Sequence, residues 1–302
     1  MTLSFVRNGS AYEAVKILSG ECSYPVRKLC DLLHLTRSAY YQWLKQLKGP
    51  HEQENERIAE KAREIHKAHP DMGYRRIRDE LDRYHDIHVN DKRVLRITRA
   101  LGIQSTIKFR RRGCTRSAAA PQYVAKNYLA RRFHADAPNI KWLTDVTEFK
   151  YYAGTEVRKI YLSAILDLCD KRIVAYAIGN HNDNKLVFDT FDAAVMVEPE
   201  AHPLFHSDRG FQYTSTVFHQ KLRAAGMRQS MSRVAHCLDN GPIEGFWGIL
   251  KRECYYGHKF TNKAQLVQMI ADYIDFYNNR RLQRRLSVMT PMEFHCHFAL
   301  AA

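Results

Sequence analysis

Residues 140–152 have the sequence IKWLTDVTEFKYY and are rich in β-branched and aromatic side chains. Two similar stretches follow, VRKIYLSAILDL at 157–168 and RIVAYAIG at 172–179, with a turn between them at 169–171. Runs of this composition, bounded by turn residues, are typical of β-strands. The sequence therefore predicts a meander of three strands, and this part of the chain decides the fold.

Helix and strand patterns alternate downstream of the meander. The predicted elements are a helix at 184–197, a strand at 203–208, a helix at 214–225, a strand at 227–232, and helices at 241–254 and 263–279. Three strands followed by such an alternation predict an α/β fold, a mixed five-stranded sheet with helices on both faces. This order of elements is that of the RNase H-like fold.

The region upstream of the meander is predicted to be all-α. Over 11–47, the runs VRKLCDLL and RSAYYQWLKQL are joined by a short link, which is helix-turn-helix spacing. In the second helix, Tyr40 and Tyr41 are expected to be exposed. The alternative is a helical hairpin that only packs. DNA contact is the interpretation favoured here.

A second helical unit is predicted over 54–103, with a first helix ended by Pro70 and a last helix capped by Asn90 or Asp91. Arg75 and Arg76, on the middle helix, are candidates for binding DNA phosphates. Acidic residues are also frequent in this unit. A solvated, charged helix face therefore explains each arginine nearly as well.

The formal net charge of +15 is concentrated in the N-terminal part of the chain. Residues 1–135 contain 27 Lys and Arg against 14 Asp and Glu, whereas residues 136–302 contain 20 against 18. Within 105–135 the pattern predicts a basic linker that follows a DNA backbone, with Lys108, Arg110, Arg111 and Arg112 as candidate DNA contacts. Such asymmetry favours a polyanionic partner, most often nucleic acid.

These patterns divide the chain into four predicted segments. They are a helix-turn-helix-like segment at 1–50, a second helical module at 51–104, the linker at 105–135, and a catalytic core with a C-terminal helical extension at 136–298.

Several classes of protein are disfavoured by the sequence. No run approaches the ~20 apolar residues that span a bilayer, and no secretory signal is present, so a membrane partner is not expected. Seven cysteines form no C-x-x-C pair, which favours reduced thiols in the cytoplasm. The triplet 295–297, His-Cys-His, has poor spacing for a zinc site. Neither a P-loop nor a G-x-S-x-G motif is present.

Three acidic residues are the candidates for chemistry. Asp145 lies within the first predicted strand, Asp208 at the end of the fourth, and Glu244 in the first turns of a helix entered through Asn240 as its expected cap. Phosphoryl transfer on DNA uses two hard cations about 4 Å apart, held by carboxylates from separate elements. Each acid alone has a structural explanation, but strand ends and a helix start can bring the three together.

The flanks of these acids resemble a known family. WLTDVTEF (142–149), HSDRGFQYTS (206–215) and SMSRVAHCLDNGPIEGFWGILKRE (230–253) are similar to the catalytic blocks of OrfB-type transposases of the IS-three insertion-sequence family, within the retroviral integrase superfamily. YNNRRLQRRLSVMTP (277–291) resembles the C-terminal block of that family, and 54–103 its integrase-associated helix-turn-helix.

The resemblance implies a DDE-type transposase that uses Mg²⁺ or Mn²⁺, two ions per active site. Such an enzyme nicks DNA at the element ends and joins the freed 3′-OH to target DNA. Asp145, Asp208 and Glu244 match the catalytic, metal-binding acids of the family. Lys251, seven residues after Glu244, matches a basic residue that can contact a phosphate, and a snorkelling surface lysine is the alternative. Arg281, in the C-terminal block, is a further candidate DNA contact.

The implied partners are double-stranded DNA, both the terminal inverted repeats and the target, and further copies of the chain assembled on DNA. An upstream OrfA product is a possible partner or fusion. Two other functions stay open at this stage. A decayed, non-enzymatic DNA-binding protein would lack metal-dependent nicking, and an RNase H-type nuclease would cleave without strand transfer.

Overall fold

The computed structural model describes residues 8–46, 49–107, 122–233 and 237–301. Of the predicted DNA contacts, Lys108, Arg110, Arg111 and Arg112 lie outside the described residues. The chain divides into two compact units, Met1–Ile107 and Lys108–Ala302.

The first unit is helical, as the sequence predicts. Its helices are α1 (Gly9–Glu21), α2 (Val26–Leu32), α3 (Arg37–Gln46), α4 (Pro50–Ala68), α5 (Tyr74–Tyr84) and α6 (Asp91–Ala100). Helices α1 to α3 share one apolar core, and α4 to α6 share another that includes Ile58, Ile77 and Ile97. The ends of the second group follow the predicted signals: α4 stops before Pro70, and the Asn90 side chain accepts a hydrogen bond from the Arg93 backbone N–H at 2.8 Å.

The prediction that Tyr40 is exposed was wrong. Tyr40 is 2% exposed, and its ring packs against Tyr12 and Trp43 in the core of α1 to α3. The adjacent Tyr41 is 51% exposed, as expected. A three-helix core this small needs large side chains to fill it, and the aromatic residues of α3 provide that volume.

The second unit is built on a five-stranded mixed sheet in the order β3-β2-β1-β4-β5. The strands are β1 (Lys141–Ala153), β2 (Glu156–Asp167), β3 (Ile173–Gly179), β4 (Leu204–Ser207) and β5 (Arg228–Met231). The first three form the predicted antiparallel meander, and β4 and β5 add in parallel on the other side of β1. This is the RNase H-like arrangement, and it places β1 in the centre.

Helices cover both faces of the sheet. They are α7 (Asn184–Val197), α8 (Thr216–Ala224), α9 (Gly241–Leu250), α10 (Lys263–Asn279) and α11 (Pro291–Ala301). One apolar core joins the sheet to α9 and α10, and the other joins it to α7 and α8. Side chains alternate along a strand, so Asp145 lies on the same face of β1 as Leu143 and Phe149, which belong to the core under α9 and α10.

The predicted helix over 241–254 is interrupted. Helix α9 ends at Leu250, and residues Lys251–Tyr255 continue as a π-helical turn. A π turn widens the helix and changes the direction of the side chains that follow, and such turns are frequent at functional sites. Among the described helices, none combines the length and the apolar character needed to cross a membrane.

Candidate active site

The end of β4 opens a crevice beside β1. The last pair between these two parallel strands is Leu143 with His206, and β1 continues beyond it. Asp145 lies on β1 two residues past this pair, and Asp208 directly follows β4. Because parallel strands end at the same edge of a sheet, both carboxylates lie at the crevice.

Helix α9 brings the third acid to the same place. Glu244 is in its first turn, and the Nε1–H of Trp247 donates a hydrogen bond to Oδ2 of Asp145 at 2.9 Å. Residues three apart lie on one side of a helix, so the contact that orients Trp247 toward Asp145 also turns Glu244 toward the crevice. An aromatic residue on a helix over a sheet is usually a core residue, so the sequence alone does not single out Trp247. Its spacing from Glu244 was the available signal for a role in the site.

The loop after β4 fixes the second acid. The backbone N–H of Gly210 donates to Oδ1 of Asp208 at 2.9 Å. A β-carbon on Gly210 would lie 2.9 Å from Oε1 of Gln212 and 3.1 Å from Oδ1 of Asp208. A side chain at this position would therefore crowd the Asp208 carboxylate.

The three carboxylates are electrostatically strained. Burial, together with the negative charge of Asp208, raises the pKa of Asp145 to about 8, against the opposing hydrogen bond from Trp247. Burial also raises the pKa of Asp208. The pKa of Glu244 is raised by burial first and by the charge of Asp208 second. Oxygen donors that repel one another in a poorly solvated crevice favour a bound hard cation.

The described residues contain no finished metal site. Across 8–46, 49–107, 122–233 and 237–301, no three His, Cys, Asp or Glu side chains lie in an arrangement that already could hold an ion. The chemistry of the donors nevertheless fits a hard divalent cation, since all three are carboxylates and their charges are coupled. Binding would require the side chains to move closer together.

Tyr213 lies beside the acids in the core of the sheet, and no sequence pattern indicates this position. Its side chain is 2% exposed, and its hydroxyl lies 3.3 Å from Oγ1 of Thr144, the residue before Asp145. Burial raises the pKa of Tyr213 well above its usual value, and the charges of Asp145 and Asp208 add to this effect. The phenol is therefore neutral beneath the two carboxylates.

Lys251 contacts the same strand as Asp145. Its Nζ donates to Oγ1 of Thr147 at 2.5 Å and lies 4.9 Å from the centre of the Phe149 ring. Thr147 is two residues beyond Asp145, so the two side chains lie on one face of β1. The Lys251 ammonium thus lies over β1, beside the residue two positions after Asp145.

The expected capping role of Asn240 was wrong. Asn240 occupies the N-cap position of α9, but its side chain makes no capping hydrogen bond. Instead its Nδ2–H donates to the backbone oxygen of Thr144 at 3.1 Å. The side chain therefore ties the start of the helix that carries Glu244 to the strand that carries Asp145.

The preceding residue, Asp239, anchors the same turn. It is fully buried, and its carboxylate accepts hydrogen bonds from Arg233 at 2.9 Å, from Arg131 at 2.6 Å and from Asn127 at 3.0 Å. These donors hold the pKa of Asp239 well below its usual range, with the Arg233 hydrogen bond as the largest cause. The segment 127–131 thus meets the distant segment 233–239 at this carboxylate, immediately before α9.

The remaining predicted DNA contacts have different environments. Arg75 is exposed, with its guanidinium carbon 5.4 Å from the centre of the Tyr74 ring. Arg76 is half-buried and pairs with Asp71 at 2.7 Å. Arg281 lies in a buried ion pair with Glu253, at 2.7 Å, so its guanidinium faces protein rather than solvent. We therefore assign Arg281 a structural role and leave it out of the DNA surface.

Two other buried acids of this unit, Asp167 and Asp170, have structural roles. Asp167 is buried and accepts hydrogen bonds from the Asn139 backbone N–H at 2.7 Å and from Nε1 of Trp142 at 3.1 Å. Asp170 is also buried, and it lies 2.7 Å from Nδ1 of His295 and pairs with Arg172. These contacts close the turn between β2 and β3.

The strain on Asp145 predicts a stability effect in the absence of metal. When folding raises the pKa of a carboxyl group, the fold is more stable with that group protonated. For Asp145 this stabilisation is complete below the pKa of the unfolded chain, and it is lost as the pH rises to about 8. We expect the Asp145→Asn protein in EDTA to melt roughly 5 °C above wild type at pH 8.5, but near wild type at pH 4.5. Thermal denaturation at both pH values measures this. Equal differences at the two pH values would contradict it.

Comparison with known proteins agrees with this fold. Two models described as integrase core domain match residues 135–237 and 244–297, and a model described as HTH-like domain matches residues 52–112. Among solved structures, the HTLV-2 integrase catalytic core domain covers 54% of this chain, and 99% of that domain is covered, at 19% identity and a TM-score of 0.41. The two family models, and not this structural likeness, identify the second unit as an integrase core.

Curated relatives narrow the class further. The InsK protein of insertion element IS150 from Escherichia coli K12 is 35% identical over 273 residues, which is 90% of this chain and 93% of that protein. A transposase-like protein of Haemophilus influenzae is 38% identical over 208 residues, 69% of this chain and 94% of its own length. The chain belongs to the IS-three (IS3) family of insertion-sequence transposases.

Proposed function

We propose that this protein is a DDE-type DNA transposase that nicks DNA at the ends of its element and joins the freed 3′-OH to target DNA. The observation that carries the proposal is the meeting of Asp145, Asp208 and Glu244 at one crevice. Burial raises the pKa of all three, and the charge of Asp208 further raises the pKa of Asp145 and of Glu244. A structural carboxylate is normally paired with a cation, as Asp239 is with Arg131 and Arg233.

The proposed cofactor is Mg²⁺ or Mn²⁺, with two ions per active site held by these three acids. Such ions polarise a phosphodiester and lower the pKa of the attacking hydroxyl group when they are bound. The protein supplies the rest of the site. Trp247 and the backbone of Gly210 orient two of the carboxylates, and α9 carries the third on a rigid element.

The proposed DNA surface has parts in both units. The helix-turn-helix and integrase domains imply DNA binding. In the first unit we assign phosphate contacts to Arg75 and, when its ion pair with Asp71 opens, to Arg76. In the second unit, Lys251 donates a hydrogen bond to Thr147 on the strand of Asp145, and we assign it a contact with the phosphate next to the scissile bond. We also propose phosphate contacts for Lys108, Arg110, Arg111 and Arg112 because of their charge.

Assembly is also part of the proposal. Two element ends must be cut and joined together, so we propose that copies of this chain assemble on double-stranded DNA that carries the terminal inverted repeats. An OrfA product, as partner or fusion, would add recognition of those repeats.

A prediction about the first unit follows from the exposure of Arg75. Removing one phosphate contact should lower the slope of log K against log salt concentration by about 0.9. We expect Arg75→Ala to weaken binding of duplex DNA about 5-fold in low salt, uniformly across sequences. Fluorescence anisotropy over a salt series measures both quantities.

The matched control for Arg75 is Lys61→Ala. Lys61 lies on α4, and its Nζ pairs with Glu64 of that helix at 2.7 Å. This variant should leave affinity and slope near wild type. An unchanged salt slope for Arg75→Ala would remove this residue from the DNA surface.

The test of the function itself is metal-dependent nicking of DNA that carries the inverted repeats of the element, followed by strand transfer. Loss of both reactions in Asp145→Asn, with DNA binding retained, is the supporting result. DNA binding by wild type without either reaction would favour a non-enzymatic DNA-binding protein. Cleavage without strand transfer would favour a nuclease.

A further inference from the structure

The amide of Asn240 is half satisfied. The side chain is 2% exposed, and its Nδ2–H donates to the Thr144 backbone oxygen at 3.1 Å. Its Oδ1 is buried and has no hydrogen-bond partner among the described residues. The orientation of the amide is fixed by this contact, because exchanging its nitrogen and oxygen would place two oxygens against each other.

An acceptor buried in this way is costly to leave empty, and native proteins fill such positions with a protein donor or an ordered water. Asn278 shows the ordinary outcome elsewhere in the same unit. Its Nδ2 donates to the Ile173 backbone oxygen at 2.9 Å, and its Oδ1 accepts from the Ile173 backbone N–H at 2.9 Å. The two asparagines bridge a helix and a strand alike, but only Asn240 keeps its oxygen unused.

Asn240 lies between the elements that carry the acids. Its partner Thr144 immediately precedes Asp145, and it is also the first residue of β1 beyond the pairing with β4. Glu244 follows Asn240 by four residues, one turn of α9. The amide that carries the unused oxygen is thus hydrogen-bonded to the residue before Asp145 and lies one helical turn before Glu244. A small, ordered donor near these acids has other oxygens with which to bond.

We propose that Oδ1 of Asn240 accepts a hydrogen bond from the water that attacks the scissile phosphodiester during nicking. This inference rests on the proposed function. In nicking, the water oxygen bonds to phosphorus while the bond between phosphorus and the 3′ oxygen breaks. One proton of the water is lost to solvent, the leaving 3′ oxygen takes up a proton, and a 5′-phosphate and a 3′-OH result.

The nucleophiles of nicking and of strand transfer differ in their number of O–H bonds. Water keeps one O–H bond as it attacks, and that bond can donate to Asn240 throughout. The 3′-OH that attacks in strand transfer has a single O–H bond and loses this proton in the step. An amide oxygen is too weak a base to take that proton. Asn240 therefore orients the water nucleophile and contributes little to the attack by the 3′-OH.

The experiment compares two DNA substrates with the full-length protein in Mg²⁺. An intact element end reports nicking by water, and an end already cut to its 3′-OH reports strand transfer. We expect Asn240→Ala and the shape-conserving Asn240→Leu to slow nicking about 50-fold and strand transfer no more than about 3-fold. Melting temperature and DNA affinity, measured on the same samples, report the fold and binding independently of activity.

The control is Asn278→Leu, which removes two strand contacts instead of one and leaves the crevice intact. It should lower the melting temperature at least as much as Asn240→Leu but leave the ratio of the two rates unchanged. Equal losses of nicking and transfer in both Asn240 variants, or no loss in either, would overturn the inference alone. A wild-type protein that performs neither reaction would overturn the proposed function and this inference with it.

Discussion

The Asp145→Asn protein is expected to bind element-end DNA with wild-type affinity and to nick it and transfer strands about 10³-fold more slowly. The physical reason is that an amide lacks the charge needed to hold a hard cation, and the remaining carboxylates cannot replace it. Gel assays of nicking and strand transfer in Mg²⁺ and in Mn²⁺, with anisotropy for affinity, measure this effect. Asp208→Asn and Glu244→Gln should behave in the same way.

The matched control for Asp145 lies three residues along the same strand. Glu148 pairs with Lys159 on β2 at 2.9 Å, and its side chain points to the opposite face of β1. Glu148→Gln removes one negative charge from β1 without touching the crevice, and both rates should stay within about 2-fold of wild type. Retained activity in Asp145→Asn, or equal losses in the two variants, would show that Asp145 is not a metal ligand.

The largest expected effect on stability is at Glu253. Its carboxylate is buried and accepts hydrogen bonds from Arg281 at 2.7 and 3.0 Å and from the Tyr273 hydroxyl at 2.7 Å. Removing one partner of a buried ion pair leaves the other charge uncompensated and costs about 3–5 kcal/mol. We expect Glu253→Ala to lower the melting temperature by about 10 °C, measured by circular dichroism.

An exposed ion pair at the end of α10 gives the control. Arg280 and Asp275 lie 3.1 Å apart with 63% and 59% of their side chains exposed. Solvent screens this pair, so Asp275→Ala should cost no more than about 1 kcal/mol. Arg281→Ala should resemble Glu253→Ala in stability and should not change the salt dependence of DNA binding. A stable Arg281→Ala protein with a lower salt slope would return Arg281 to the DNA surface.

The sheet and its three acids could be predicted from the sequence for a specific reason. Strand runs of β-branched and aromatic residues, separated by clear turn signals, leave few possible topologies, and the order of elements then sets where strand ends meet. The position of Asp145 in β1 and of Asp208 after β4 follows from that order. Both signals are local and need no knowledge of packing.

The contacts that finish the site could not be predicted in the same way. Trp247 with Asp145 and Asn240 with Thr144 join residues about a hundred positions apart, and each depends on how α9 is seated on the sheet. Sequence patterns give Asn240 a local role because capping is the commonest use of asparagine at a helix start. Tertiary packing overrides that preference here, as it does for the buried ring of Tyr40.

The hydrogen bonds between Arg233 and Asp239 also bear on how this part of the chain can change. They join Arg233, two residues after β5, to Asp239, the residue before Asn240, through both the backbone and the guanidinium of Arg233. Arg233 and Asp239 thus hold the two ends of the segment between them together. Doubling the length of a loop adds only about 0.6 kcal/mol of closure entropy. Insertions between 233 and 239 should therefore cost little stability, because α9 keeps its starting point while the length of the loop varies.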